Sequence, residues 1–165
     1  MIKVDITANN VASSYRVPMI LGESILGIKW DSGAKYTVIS VKVLNSDLSG
    51  EELENIKQYC DGHSNNREQF VSASGHTFDG YLVTAHDVTI GHTVFPVFCY
   101  YLVVENQRDV ALLGYDFTDC CRSSHDPHSD IIVTEFDDEG YGVADSGAMD
   151  SDEVIAFIDS LSVDE

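Results

Sequence analysis

The chain is short of positive charge. Its 165 residues hold 9 Lys and Arg against 28 Asp and Glu, a formal net charge of −19. The shortage is uneven: residues 1–122 carry all 9 cations against 15 acids, and residues 123–165 carry 13 acids and no Lys or Arg. A surface of that kind repels phosphate, so nucleic acid and anionic membranes are excluded as expected partners. A long hydrophobic run is also absent, since nothing approaches the roughly 18 apolar residues of a membrane span. Val17-Pro18-Met19-Ile20-Leu21 is far too short for a signal-peptide core. Cysteine is sparse as well: Cys60, Cys99, Cys120 and Cys121 lack the spacing of a disulfide framework. The expectation is a cytoplasmic chain with reduced thiols. What remains, at 44% hydrophobic and 22% charged residues, is the composition of a soluble globular protein with a sizeable core.

The most informative stretch is Ile28-Lys29-Trp30-Asp31-Ser32-Gly33-Ala34-Lys35-Tyr36-Thr37-Val38-Ile39-Ser40. Ile28 and Trp30 alternate with Lys29 at the strand period, and Thr37-Val38-Ile39 is β-branched, as in a strand leaving a turn. Gly33 lets backbone come close to the Asp31 carboxylate, Ala34 leaves room, and Ser32 has a hydroxyl for neighbouring backbone or a partner chain. Asp31 is expected to be largely buried, with backbone N–H groups holding its charge. The tetrapeptide alone reads equally well as an Asx-type turn between strands. It also recurs as Asp145-Ser146-Gly147-Ala148, without an apolar strand ahead of it.

The rest reads mainly as strands. Ile2–Ile6, Val17–Leu21 and Ser24–Trp30 come first, with Asn9-Asn10, Ser13-Ser14 and Gly22-Glu23-Ser24 as punctuation. The strand leaving Asp31 is expected to run to about Val43. Ser49 with Glu52 three residues on is a capping box, and Leu53, Ile56 and Cys60 share one face of the helix it opens, which Gly62 should end. Phe70–Ala73 and Tyr81–Val83 form a hairpin around a small glycine-bearing tip, 74–80. Strands Ala85–Gly91 and Thr93–Val104 follow, Pro96 placing the start of the second at a sheet edge. After a polar turn at 105–109 come a buried strand, Val110–Leu113, and a short helix that Asp116 can cap and that reaches Cys120-Cys121. Ile131–Phe136 is strand-like. Val154, Phe157, Ile158 and Leu161 make the apolar stripe of a helix capped by Asp150 and Ser151, docked on the barrel or on a partner.

Two metal patterns are weak. Cys120-Cys121 with His125 and His128 has a spacing that could hold Zn²⁺, but free buried cysteine is the more ordinary role. The stretch from Glu135 faintly resembles an EF-hand loop, yet its last position is Ser146, which fails the Ca²⁺ geometry.

Hydrophobic-x-hydrophobic-Asp-Ser-Gly-Ala followed by Thr-Val-Ile-Ser resembles the active-site loop of the retropepsin-like aspartic proteases, the single-lobed relatives of pepsin. A second landmark of that family, an apolar pair, Gly and a short helix, is matched by Leu112-Leu113-Gly114-Tyr115-Asp116-Phe117. The resemblance spans roughly Ser14 to Arg122. It divides the chain into a protease domain, 1–122, and an acidic C-terminal extension, 123–165. It implies a mainly β fold: a closed barrel with a helical insertion, a short helix after Leu-Leu-Gly and a C-terminal amphipathic helix.

The resemblance also implies an aspartic endopeptidase. Asp31 is its catalytic acid and base, supported by Ser32, Gly33, Ala34, Leu113 and Gly114. The hairpin tip, with Ser74, Gly75, His76, Thr77 and Gly80, is its flap over a bound peptide, though His76 matches no family position and receives no role of its own. Such hydrolysis needs two acids around one water and neither metal nor organic cofactor. Only 20 residues follow Asp145, too few for a second lobe, so the second acid is expected from Asp31 of another copy in a homodimer. The alternative is a non-catalytic peptide- or protein-binding module on the same barrel.

Overall fold

The computed structural model describes the chain except residues 73, 105–109, 126–128, 139–140, 142–147 and 162–165. Strands β1 (Ile2–Val11), β2 (Ser14–Leu21) and β3 (Ser24–Trp30) form an antiparallel meander. Their alternation turns Val4, Ile6 and Ala8, then Val17, Met19 and Leu21, then Ile28 and Trp30 into the core. Asn9 and Asn10, expected as punctuation, pair with Arg16 and Tyr15 inside this sheet.

β4 (Val38–Ser40) stops three residues short of the expected Val43, and the chain turns into α1 (Val41–Leu44). The cause is its partner: β8 (Ala111–Leu113) is itself only three residues long, and the Ser40 amide and hydroxyl are already bonded to Val110. No ladder remains beyond Ser40 on that side. α2 (Gly50–His63) forms as the sequence indicates, with both halves of the Ser49–Glu52 capping box made and Leu53, Ile56 and Cys60 buried. It ends at His63, one residue past Gly62.

β5 (Arg67–Val71) returns into β6 (Thr77–Ile90), one continuous strand where the sequence suggested two. β7 (Thr93–Val103) follows antiparallel to it. The ladder skips one position, between His86↔Val97 and Val88↔Phe95, where Pro96 has no N–H to offer and Asp87 takes a positive φ of 56°. Among the described residues this first half of β7 pairs only with β6, the edge that Pro96 implied.

The barrel closes in a ring: β6, β7, β4, β8, β3, β2 and back to β6 through Met19↔Ile90 and Ile20↔Thr89. Two of its pairings, β3–β8 and β4–β7, are parallel. The result is the mainly β, closed barrel expected from the sequence.

α3 (Tyr115–Thr118) is a single turn, and Cys121, expected on a helix, opens β9 (Cys121–His125) instead. The turn cannot extend because Cys121 pairs with Phe136 and the Cys120 carbonyl accepts from the Asp137 amide at 2.7 Å; Phe117, on the turn itself, clusters with Phe95, Phe98, Phe136 and Tyr141, whose ring centroids lie 4.9–6.0 Å from its own. β10 (Ile131–Phe136) lies between β9 and β1. β11 (Met149–Asp150) runs parallel to β6, and α4 (Ser151–Leu161) packs on β6 and α2. Val154 and Ile158 are buried, Phe157 stacks on Tyr59 at 4.3 Å, and Asp150 caps the helix through the Glu153 amide. The amphipathic helix therefore docks on its own barrel. Among the described residues no helix is long and apolar enough to cross a membrane.

Candidate active site

The barrel places Asp31 at the end of β3, where that strand leaves its ladder. Trp30 pairs with Leu113, and the Asp31 amide donates to the Leu113 carbonyl at 2.9 Å. The chain then turns tightly: the Ala34 amide donates to the Asp31 carbonyl at 3.2 Å and the Gly33 amide to Asp31 Oδ1 at 3.1 Å. A Cβ on Gly33 would stand 3.3 Å from that oxygen, a tight contact that would press on the carboxylate.

The loop is clamped from behind by the segment after β8. The Tyr115 amide donates to the Ala34 carbonyl at 2.6 Å and the Asp116 amide to that of Lys35 at 3.3 Å. Gly114 passes so close to Tyr36 that a Cβ would coincide with the Tyr36 backbone, so the glycine of Leu-Leu-Gly is a requirement of contact. Leu113 is fully buried. The structure thus brings Asp31, Gly33, Ala34, Leu113 and Gly114 together, with Ser32 exposed at the head of the turn.

Two expectations about carboxylates change. Asp31 is not largely buried: its side chain is 28% exposed. Only the Gly33 amide donates to it among the described residues, and Lys29 Nζ approaches Oδ2 at 3.7 Å. Asp116 is not the helix cap, a position Gly114 holds. Its carboxylate reaches back to Thr37, accepting from the hydroxyl at 2.7 Å and the amide at 3.1 Å, and also accepts from the Phe117 amide at 2.8 Å. The Thr37 hydroxyl in turn accepts from the Gly114 amide at 3.2 Å. Burial lifts the Asp116 carboxyl above its usual range, against the pull of these hydrogen bonds.

Thr37, Asp116 and Lys29 were missed by sequence reasoning. Lys29 had a signal, since two residues apart on a strand means the same side as Asp31. The Thr37–Asp116 tie joins positions 79 residues apart, and no local pattern announces it.

The hairpin β5–β6 stands beside this loop. Its tip is bonded to itself: the Ser72 amide donates to the His76 carbonyl, the Gly75 amide to the Ser72 carbonyl and the His76 amide to Ser72 Oγ, while Ser72 and Ser74 share a hydroxyl contact of 2.9 Å. Gly75 takes φ +84°. Thr77 begins β6. Gly80, expected in the tip, lies within β6 opposite Glu68 and Val103, where a Cβ would stand 2.5 Å from the Phe70 ring. Its part is to admit an aromatic ring.

Two clefts flank the loop. One of about 440 Å³ runs between it and β5, lined by Ala34, Tyr36, Phe70, Val71 and Leu112. The other, of about 430 Å³, is lined by Trp30, Asp31, Ser32, Tyr115, Asp119 and His125. Asp31 and Ser32 thus open onto the cleft on the Tyr115 and His125 side, while the apolar cleft on the hairpin side is bordered by the next residues of the loop, Gly33 and Ala34.

The second Asp-Ser-Gly copy at 145–147 lies outside the described residues, as do the polar turn at 105–109, His128 of the zinc pattern and most of the EF-hand-like stretch. Among the described residues no three His, Cys, Asp or Glu side chains gather as metal ligands would. Burial pushes the Cys60 and Cys121 thiols up to about 12.

No protein-family profile and no curated protein matches the sequence. Among solved structures, the chain is similar to a retropepsin-like aspartic protease from Rickettsia conorii, with a TM-score of 0.51 at 15% identity, covering 80% of this chain and 89% of that one. At that identity the likeness is one of fold: the closed, mixed six-stranded barrel carrying the Asp31 loop is a retropepsin-like barrel.

Proposed function

We propose that the protein is an aspartic endopeptidase that cleaves a peptide bond in an extended substrate, its active site completed by Asp31 of a second copy. The observation that carries this reading is the Asp31-Ser32-Gly33-Ala34 turn, locked by Leu113 and Gly114, with Asp31 and Ser32 lining one cleft and Gly33 and Ala34 lining a second beside the β5–β6 hairpin. One carboxylate beside water hydrolyses nothing at a useful rate. Two facing carboxylates hold one proton between them and a water across them. The charged one takes a proton from the water, whose oxygen attacks the scissile carbonyl carbon, while the protonated one gives its proton to the carbonyl oxygen. Collapse of the resulting gem-diol returns a proton to the leaving amine and restores the pair.

The backbone of the groove supports the substrate's geometry. An extended peptide lies as an added strand along the β5–β6 hairpin, and closure of the Ser74–Thr77 tip excludes water. Gly33 braces the Asp31 carboxylate, and the exposed Ser32 is available to the facing loop of the second copy. Incubating the protein with a peptide library over mildly acid to neutral pH, with mass spectrometry of the products, tests the reading. Asp31→Asn should abolish every cleavage while leaving the unfolding transition in place; retained cleavage in a folded Asp31→Asn protein overturns it.

A non-catalytic peptide-binding module is favoured by one observation, the Lys29–Asp31 ion pair. A carboxylate oxygen held by an ammonium is not free to share a proton with its twin. Tight peptide binding without any product, by a protein that sediments as a monomer at every pH and salt concentration, would select this reading.

A further inference from the structure

Asp31 stands beside one of the few cations of a very acidic chain. Lys29 and Asp31 leave the same side of β3, and the ammonium lies 3.7 Å from Oδ2. Lys29 also pairs across the sheet with Arg16 on β2, so a second cation adjoins on the barrel's outer face. Arg16 is turned along that face, donating to the Gly27 carbonyl at 3.3 Å. The Lys29 side chain is 43% exposed, so its ammonium is open to solvent beside the acid.

The consequence rests on the aspartic-protease reading and follows from counting charge. Two copies bring two Lys29 ammoniums to a pair of carboxylates that share one proton and so carry a single negative charge. Among the described groups in ion-pair contact with the carboxylates one positive charge is left over, with Arg16 beside each ammonium, although Asp119 lines the same cleft as Asp31. An anionic group on the substrate restores the balance and draws an ammonium away from the Asp31 oxygen that must hold the proton. A neutral substrate leaves that oxygen engaged.

We propose that Lys29 determines specificity, selecting peptides that carry Asp or Glu beside the scissile bond. The selection is local. At a distance the net charge of −19 repels an acidic peptide, so the preference belongs in discrimination between substrates and not in a fast association rate. A single partly exposed ion pair sets its size at about twofold to fivefold.

The experiment compares matched peptides that differ only by Asp for Asn or Glu for Gln at the positions flanking the cleaved bond. The ratio of kcat/KM, acidic over neutral, is measured for the full chain and for Lys29→Arg, Lys29→Met and Lys29→Glu at physiological salt. The expected ratios are about two to five for the wild type, similar for Lys29→Arg, near one for Lys29→Met, and a preference for Lys-bearing peptides in Lys29→Glu. Cleavage with no acidic preference, or a preference that survives in Lys29→Met, overturns the role of Lys29 and leaves the protease reading standing. If no peptide is cleaved, anisotropy of the same fluorescent peptides decides: acid-selective binding lost in Lys29→Met supports the role of Lys29 and sinks the protease reading, whereas unselective or absent binding overturns both.

Discussion

Thr37→Val removes one oxygen from the fully buried centre of the site's scaffold and leaves its shape nearly unchanged. That oxygen donates to Asp116 Oδ1 at 2.7 Å and accepts from the Gly114 amide at 3.2 Å. In the valine variant the Gly114 N–H is buried and unpaired, at a cost of about 1–3 kcal/mol. The Asp116 carboxylate loses one of its donors, about 1.5 kcal/mol at the low end for a charged acceptor, because the amides of Thr37 and Phe117 remain bonded to it. The extra buried methyl returns about 0.8 kcal/mol. The net loss is about 2–4 kcal/mol, which for a chain of this size lowers the melting temperature by roughly 5–15 °C. Thr37→Ser keeps the oxygen, gives up only the methyl, and should cost about 1 kcal/mol. Urea unfolding of the three proteins, compared at a common slope, reads these differences directly. A valine variant as stable as the serine variant would refute the argument that this hydroxyl ties the two halves of the site together.

Further outcomes follow from neighbouring residues. Gly114→Ala places a methyl on the Tyr36 backbone, which has no free volume to yield, so it should cost more than about 3 kcal/mol; a soluble alanine variant with an unchanged urea midpoint contradicts that packing. Ile158→Ala should cost about 2–4 kcal/mol because this side chain is 1% exposed under α4, and a loss below about 1 kcal/mol in the same assay would mean that the helix is not docked. Asp116 gives a pH dependence of definite sign. Burial raises its carboxyl above 3.8, so the folded protein holds that proton more tightly than the unfolded chain does; the contribution is fully present below the ordinary value and is lost as pH rises through the folded one. The stability gap between wild type and Asp116→Asn should therefore move in the wild type's favour on acidification through that window, and a shift the other way would mean that the hydrogen bonds outweigh burial.

What the sequence disclosed was local or marked by a contact that only one residue type tolerates. The Ser49–Glu52 box, the turn at Gly33 and the stripe of Val154 and Ile158 are each specified within a few residues, and all three formed. The Leu113-Gly114 pair was legible because the crowding at Tyr36 forces a glycine. What stayed hidden depends on partners distant in the chain. β4 ends at Ser40 because β8 is short, Gly80 answers to the Phe70 ring, and Cys121 enters a strand because it pairs with Phe136. None of these has a period or a spacing. The exposure of Asp31 was misjudged for a related reason: an apolar strand on either side predicts burial of the strands, not of the turn that joins them at the barrel's rim.

The place of β10 has a consequence in time. Ile2 pairs with Phe136 and Ala8 with Ile131, so most of the ladder of β1 is supplied by β10, a strand made long after it. Closing contacts over so much intervening chain is slow, because the entropy of the loop is lost before any bond repays it. Val4, Ile6 and Ala8 spend that interval on an open edge, where pairing with another nascent chain competes with waiting. Amide protection in β1 should be the last to appear on refolding, and a chain cut ahead of Ile131 strands its own beginning.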